Sequence, residues 1–167
     1  MAVNNFTYSV AWSDFNQVPS KPNGVTEDAQ IHPEMSFSNF KLARKGKSVT
    51  ITDVDVNIAL VAADCWVVAK QMSNELLKHE QGHYDILAIS AREFYKSLIG
   101  QSASSVHDLQ KNVTKMQAAL ATKTATVDAR YDTKTKNSQD KKEQQNWDKQ
   151  IAAEMLKADG SIDNLPQ

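Results

Sequence analysis

Apolar and polar residues alternate with a period of two in three stretches of the first third of the chain: Asn5 to Trp12, Met35 to Leu42 and, most clearly, Val49 to Leu60. A period of two sends successive side chains to opposite faces of a strand, so each stretch predicts a strand with one face on a core. Phe6, Tyr8 and Val10 carry the first alternation, and Met1 to Ser13 reads as a strand throughout. In the third stretch Val54, Val56, Ile58 and Leu60 keep one phase, and Ile51 falls out of it. Lys45-Gly46-Lys47-Ser48 supplies the turn before this strand, whereas Pro19, Pro22 and Gly24 mark Pro19 to Glu27 as a loop.

Beyond Cys65 and Trp66 the period changes. From about Met72 to Ile99 the chain holds no proline and only one glycine, Gly82, which predicts a long helix with Ser73 as N-cap and Gly100 as its stop. Ser104 or Ser105 opens a second helix, in which Val106, Leu109, Val113, Met116 and Leu120 form a narrow apolar seam. A third helix runs from about Gln139 to Ala158, with Trp147, Ile151 and Met155 on one face. Gly160 ends it, and the tail to Gln167 is expected to fray.

The fold class that follows is α+β: a small antiparallel sheet packed on about three helices, with the long helix central. The 167 residues fit a single domain, with strands over about 5–61 and helices over about 70–158. Nineteen basic against twenty acidic residues provide no field to attract nucleic acid, so no such partner is expected. No stretch is long and apolar enough for a membrane span. The N-terminus has neither a basic segment nor a continuous apolar run, so no signal peptide is read in this chain.

Cys65 is the only cysteine, which excludes an internal disulfide and any multi-cysteine zinc site. No histidine adjoins it in sequence, and it reads as a buried structural residue near Trp66. A metal would have to rest on His, Asp, Glu or water. His79-Glu80-Gln81-Gly82-His83 spells HExxH within the long helix. Residues four apart lie about 40° apart around a helix, so His79 and His83 can face one ion. Glu80, about 100° from His79, can act as the general base and then acid for metal-activated water. Zn2+ suits this chemistry because it lowers the pKa of water to about 7 and polarises a carbonyl. Leu76, Leu77, Ile86 and Leu87 would bury the helix. Gly82 costs the helix up to about 1 kcal/mol; close approach of another backbone, or room beside a metal, would explain it, and so would simple tolerance.

The run Leu76-Leu77-Lys78-His79-Glu80-Gln81-Gly82-His83-Tyr84-Asp85-Ile86 resembles the DUF922 family of bacterial, predicted secreted zinc-dependent proteases. A second stretch, Tyr131-Asp132-Thr133-Lys134-Thr135-Lys136-Asn137-Ser138 followed by Gln145 and Trp147-Asp148, is similar to that family's YDxxTxHG segment with its following Gln and Trp. Here Asn137 replaces the family's His and Ser138 its Gly. The resemblance implies a zincin-like metallopeptidase acting on peptide or protein substrates, with a periplasmic or secreted address, while the missing signal leaves a cytoplasmic one open. If the family's His is a ligand, this chain lacks it, and a degenerate, protein-binding member without proteolysis is the alternative. If Asp132 is instead the third ligand beside His79 and His83, Asn137 or Tyr131 would donate to the developing oxyanion and Thr135 would orient a neighbour.

Asp85, about 240° round the helix from His79, and Glu93, nearly three turns beyond His83, do not readily converge on the ion, and His32 and His107 read as structural or solvated. The strand from Val49 to Leu60 has two readings, core structure or an edge that pairs with an extended substrate.

Overall fold

The periodic segments over Met35 to Leu42 and Val49 to Leu60 and the three helical stretches become the long elements of the computed structural model, which describes residues 3–167. In chain order the strands before the first helix are β1 (Val3–Asn4), β2 (Asn16–Val18), β3 (Ala29–Gln30), β4 (Pro33–Lys45), β5 (Ser48–Leu60) and β6 (Trp66–Val68). Helix α1 (Asn74–Leu98) follows, then β7 (Ser102–Ala103), α2 (Val106–Thr135) and α3 (Lys141–Leu156). The class is α+β, with two small mixed sheets in place of one antiparallel sheet. β1-β5-β4 form the larger, with β7 also on β5; β2-β6-β3 form the smaller. β1 runs parallel to β5 and β2 parallel to β6.

β4 and β5 make a hairpin closed at Gly46-Lys47, where Gly46 takes a φ of 59° that glycine adopts without a Cβ penalty. The phase break at Ile51 is real and has a cause. Pairing passes from Ser38↔Asp55 to Lys41↔Asp53 and then to Leu42↔Ile51, so one extra residue enters each strand in turn. The double bulge lets Val49 and Ile51 face the core together with Val54, Val56 and Ile58, although the two sets differ in parity. Asn39 takes the left-handed kink at φ 52° and its amide donates to Asp55 Oδ2 at 2.8 Å.

β5 is flanked by β4 on one side and by β1 and β7 on the other, so its core reading holds and its edge reading does not. The strand expected over Asn5 to Trp12 is also corrected. After β1 the chain turns at Asn5, whose φ is 60°, and a 3-10 turn occupies Trp12–Asp14; Met1 and Ala2 lie outside the described residues. Tyr8 and Val10 dock on α1 instead, through Gln81, whose Oε1 accepts the Val10 N–H at 2.8 Å while its amide donates to Tyr8 O at 3.0 Å.

α1 starts on Ser73, whose hydroxyl accepts the Leu76 N–H at 3.1 Å. It is buried on both sides. Leu76, Tyr84, Ala88, Ala91, Phe94 and Leu98 belong to a core shared with the sheets, and Ile86 and Ile89 to a second core with Val127, Tyr131, Trp147 and Ile151. α2 starts on Ser105 as expected, but its seam is only half-covered: Leu109 is buried and Val113, Met116 and Leu120 are intermediate. Among the described residues no helix is long and apolar enough to cross a membrane.

The tail is ordered, contrary to the frayed end expected. Ile162 and Leu165 are 0% and 1% exposed in the second core. Buried Arg92 fixes the approach by donating to the carbonyls of Glu154, Met155 and Gly160 at 2.7–3.1 Å. The Glu154 carboxylate in turn accepts the Ser161 N–H and the Asn164 amide, each at 3.0 Å. Ile162→Ala should therefore cost about 2–5 kcal/mol, as for other fully buried aliphatic truncations. Urea denaturation checks this, and an unchanged midpoint would mean that the tail does frays free in solution.

Candidate metal centre

HExxH occupies the second and third turns of α1, on the face turned towards α2 and β3. Burial there is deep: His79 and Glu80 are each 2% exposed. α2 brings Asp132 opposite the two imidazoles. His79 Nε2 and His83 Nε2 lie 3.1 and 3.0 Å from Asp132 Oδ1 and 3.2 Å from each other. A tetrahedral ion with bonds of about 2.0–2.1 Å holds its ligand atoms about 3.3 Å apart. The three donors could thus hold a metal ion after an outward shift of a few tenths of an ångström, estimated from the same bond lengths.

The orientation of each ring is fixed from behind. Gln144 Nε2 donates to Asp148 Oδ1 at 2.8 Å and to the Tyr131 hydroxyl at 2.6 Å, which leaves Gln144 Oε1 to accept from His79 Nδ1 at 3.0 Å. A proton on Nδ1 leaves the Nε2 lone pair for the donor cluster. For His83 the same part is played by Asp128, whose Oδ1 lies 2.7 Å from Nδ1. Asp128 and Asp132 are one helical turn apart, so a single face of α2 supplies both carboxylates.

Charge follows from this packing. Burial works to lower the His83 pKa, but Asp128 and Asp132 outweigh it and hold the imidazole well above its usual value. Burial pushes the Asp132 carboxyl up, and the hydrogen bonds from His79 and His83 reverse this and hold it well below the carboxylate range. Glu80 is raised, chiefly by burial, with His83 and His79 partly offsetting the effect. Its Oε2 accepts the Ile31 N–H at 2.9 Å, which anchors the carboxylate against the strand end beyond β3.

A cavity of about 340 Å³ opens over the cluster, bounded on one side by His79, Glu80, His83, Asp132 and Asn137 and on the other by the chain from Gly24 to Ile31. Asn137 sits in a left-handed run, Lys136, Asn137 and Ser138 at φ 50°, 51° and 74°, that ends α2. Its N–H caps the helix on Asp132 O at 3.1 Å. A φ of 74° at Ser138 also explains why glycine suits that position.

Tyr131 is placed differently from the expectation of an oxyanion donor. It is fully buried, its ring stacks on His79 at 4.7 Å between centroids, and its hydroxyl donates to His79 O at 3.1 Å while accepting from Gln144. Burial pushes its phenol far above the ordinary value. Gly82 is explained by the same ring, because a Cβ there would collide with the Tyr131 hydroxyl and Cζ. Thr135 donates to Tyr131 O at 2.8 Å and lies 3.5 Å from His79 Nδ1, behind the ring.

Asp128 and Gln144 were not anticipated. The spacing of four between Asp128 and Asp132 was a readable sign of a shared helical face, but Gln144 could be told from Gln145 only by burial: Gln144 is buried and Gln145 exposed. Asp85 is turned to Gln81, whose amide donates to it at 2.8 Å, and burial raises its pKa to about 6. Cys65 is fully buried, with the His32 N–H directed at its sulfur at 3.3 Å. His107 is exposed and His32 pairs with Glu34 at the surface.

Fold and site together define an α+β protein with a two-histidine, one-aspartate candidate metal centre built between two helices. Residues 15–140, well over half of the chain, match the family described as bacterial protein of unknown function (DUF922), and the chain belongs to that family. No curated protein and no solved structure matches it.

Gly82→Ala should destabilise the fold by about 1–3 kcal/mol through overpacking, even though alanine is the better helix former by up to about 1 kcal/mol. Combined with Tyr131→Phe, its cost should depart from additivity by at least about 0.5 kcal/mol, because the two groups compete for one space. Additive losses in a double-mutant cycle would show that they do not touch.

Proposed function

We propose that this protein is a zinc-dependent metallopeptidase that hydrolyses peptide bonds with metal-activated water. The observation that carries the reading is the convergence of His79 Nε2, His83 Nε2 and Asp132 Oδ1 within 3.2 Å of one another beside the buried Glu80. The donor set fits zinc: two neutral imidazoles with outward protons fixed by Gln144 and Asp128, one carboxylate, and room on the cavity side for further ligands. Bound there, zinc would supply Lewis acidity, lowering the pKa of a water to about 7 and polarising a substrate carbonyl.

Glu80 takes a proton from the attacking water and returns it to the leaving amine. Burial raises its pKa, which makes the carboxylate a better proton acceptor, and the Ile31 N–H keeps it from swinging away. Asn137, at the cavity wall, carries an amide that can donate to the carbonyl oxygen as negative charge develops. Tyr131 holds His79 in place and takes no part in the oxyanion. β3 is one of the two outer strands of its sheet among the described residues and borders the cavity, which suits an extended polypeptide substrate. The second reading, a protein-binding member without proteolysis, is favoured only by Asn137 standing where the family has His.

The purified chain should take up one zinc ion and cleave an unfolded protein in a chelator-sensitive manner. Glu80→Gln should keep the zinc and slow cleavage by at least about 100-fold, whereas His79→Ala, His83→Ala and Asp132→Ala should lose zinc. No zinc uptake, or undiminished cleavage by Glu80→Gln, overturns the peptidase reading; zinc without cleavage supports the binding module.

Zinc affinity should also rise with pH. His83, held protonated by Asp128 and Asp132 in the metal-free chain, must release that proton before Nε2 can bind, so acid favours the free form. Calorimetric titrations from about pH 6 to about pH 8 should show tightening affinity with proton release, and an affinity independent of pH counts against this ligand set. Asp128→Asn should weaken zinc about 10–100-fold at fixed pH.

A further inference from the structure

The groove does not stop at the donor cluster. A second hollow of about 470 Å³ shares Ile31, His83 and Asp128 with the first and runs on between the start of β4 and the middle of α2. Its apolar surface comes from Ile31, Met35, Leu87, Ala121 and Ala125. Leu87 is one turn beyond His83 on α1, and Ala121, Ala125, Asp128 and Asp132 follow one another at spacings of four, three and four on α2. The helical repeat therefore places this surface in line with the metal donors.

Except for the exposed Gln117, the polar side chains that reach the hollow are already engaged. Thr124 Oγ1 donates to Ser90 Oγ at 2.9 Å, Asp128 accepts from His83 Nδ1 at 2.7 Å, and His32 pairs with Glu34 at 3.3 Å on the rim. No lysine or arginine lines it. A charged side chain entering would lose water, an acidic one with no cation to meet and a basic one with only Asp128 and Glu34, both already paired with histidines, whereas an apolar one would be covered by aliphatic groups on both walls. The cavity on the other side of the cluster is different, with Glu27 and Asp28 in its wall.

We propose that this hollow is a side-chain subsite that selects polypeptides with a large apolar residue, leucine, methionine or phenylalanine, beside the bond held at the donor cluster. The proposal rests on the peptidase reading and adds the substrate class. Ala121 and Ala125 are both exposed to the groove, so a larger residue at either narrows it without disturbing a core.

The test uses capped tetrapeptides that differ only in carrying Gly, Leu, Phe, Lys or Glu at one position, titrated into the zinc-supplemented full chain with Glu80→Gln to prevent turnover. Affinity is measured by calorimetry, and the methyl resonances of Met35, Leu87, Ala121 and Ala125 report the place of binding. Leu and Phe peptides should bind at least about tenfold tighter than the Gly, Lys and Glu ones and shift those methyls. Ala121→Phe should erase the preference while zinc content stays unchanged. Equal affinities, a preference for Lys or Glu, an apolar preference that survives Ala121→Phe, or no binding at all overturns the subsite. The peptidase reading is judged separately, by cleavage of an unfolded protein by the unsubstituted chain, so the two can fail independently.

Discussion

A missing Cβ sets how closely α2 approaches the motif helix. At Gly82 the Tyr131 ring lies in the space that any side chain would fill, and its hydroxyl reaches through to the His79 carbonyl at 3.1 Å. Asp132 follows Tyr131 directly and Asp128 precedes it by three residues, so the same contact delivers one carboxylate to the front of the imidazoles and another to the back of His83. The helix gives up to about 1 kcal/mol of propensity at this glycine and gains a buried aromatic ring stacked on His79 of the candidate metal centre.

That ring also joins the site to the rest of the molecule. Tyr131 packs on Trp147 in the second core, which the tail completes with Ile162 and Leu165. Gln144, one turn before Asp148 on α3, takes the hydrogen-bonding capacity of the Tyr131 hydroxyl and passes a fixed direction to His79 Nδ1. Burial of the polar atoms of His79, Tyr131 and Gln144 is tolerable because they are spent on one another, and Asp148 is itself paired with Lys78 at 2.7 Å, whereas the Trp147 indole N–H in the same core has no partner among the described residues. The first core does a separate task. It holds β5 and the chain leading to β3, and from there the Ile31 N–H fixes Glu80.

Sequence periodicity revealed the long elements because thirteen-residue strands and twenty-five-residue helices repeat their pattern many times. Even the double bulge left a trace, as Ile51 out of phase. Strands of two or three residues leave none: β2, β3 and β6 exist because neighbouring chain pairs with them, and the sheet they make was invisible. Near the N-terminus the opposite happened, since the alternation of Phe6, Tyr8 and Val10 lacked a strand to pair with and the chain turned at Asn5 to dock on Gln81. For the site, HExxH placed three residues correctly on one helix, and Asp132 was one of two open choices. Gln144 behind His79 and the opposite cavity wall depended on tertiary contacts that no local pattern encodes. Tyr131 was expected as a candidate oxyanion donor because a phenol in a motif suggests chemistry, and the structure buries it against His79 and Trp147.

Asn137 can be understood from the backbone as much as from chemistry. Position 137 must adopt a φ of 51° between two other left-handed residues, and asparagine is among the side chains that accept this conformation most readily. Because His79, His83 and Asp132 meet without help from residue 137, the exchange of His for Asn removes no member of the three-donor set. What it changes is the cavity wall: a titratable imidazole gives way to a neutral amide that donates a hydrogen bond at any pH. A donor that neither gains nor loses charge adds no further titratable group to a wall that already carries Glu27, Asp28 and Glu80.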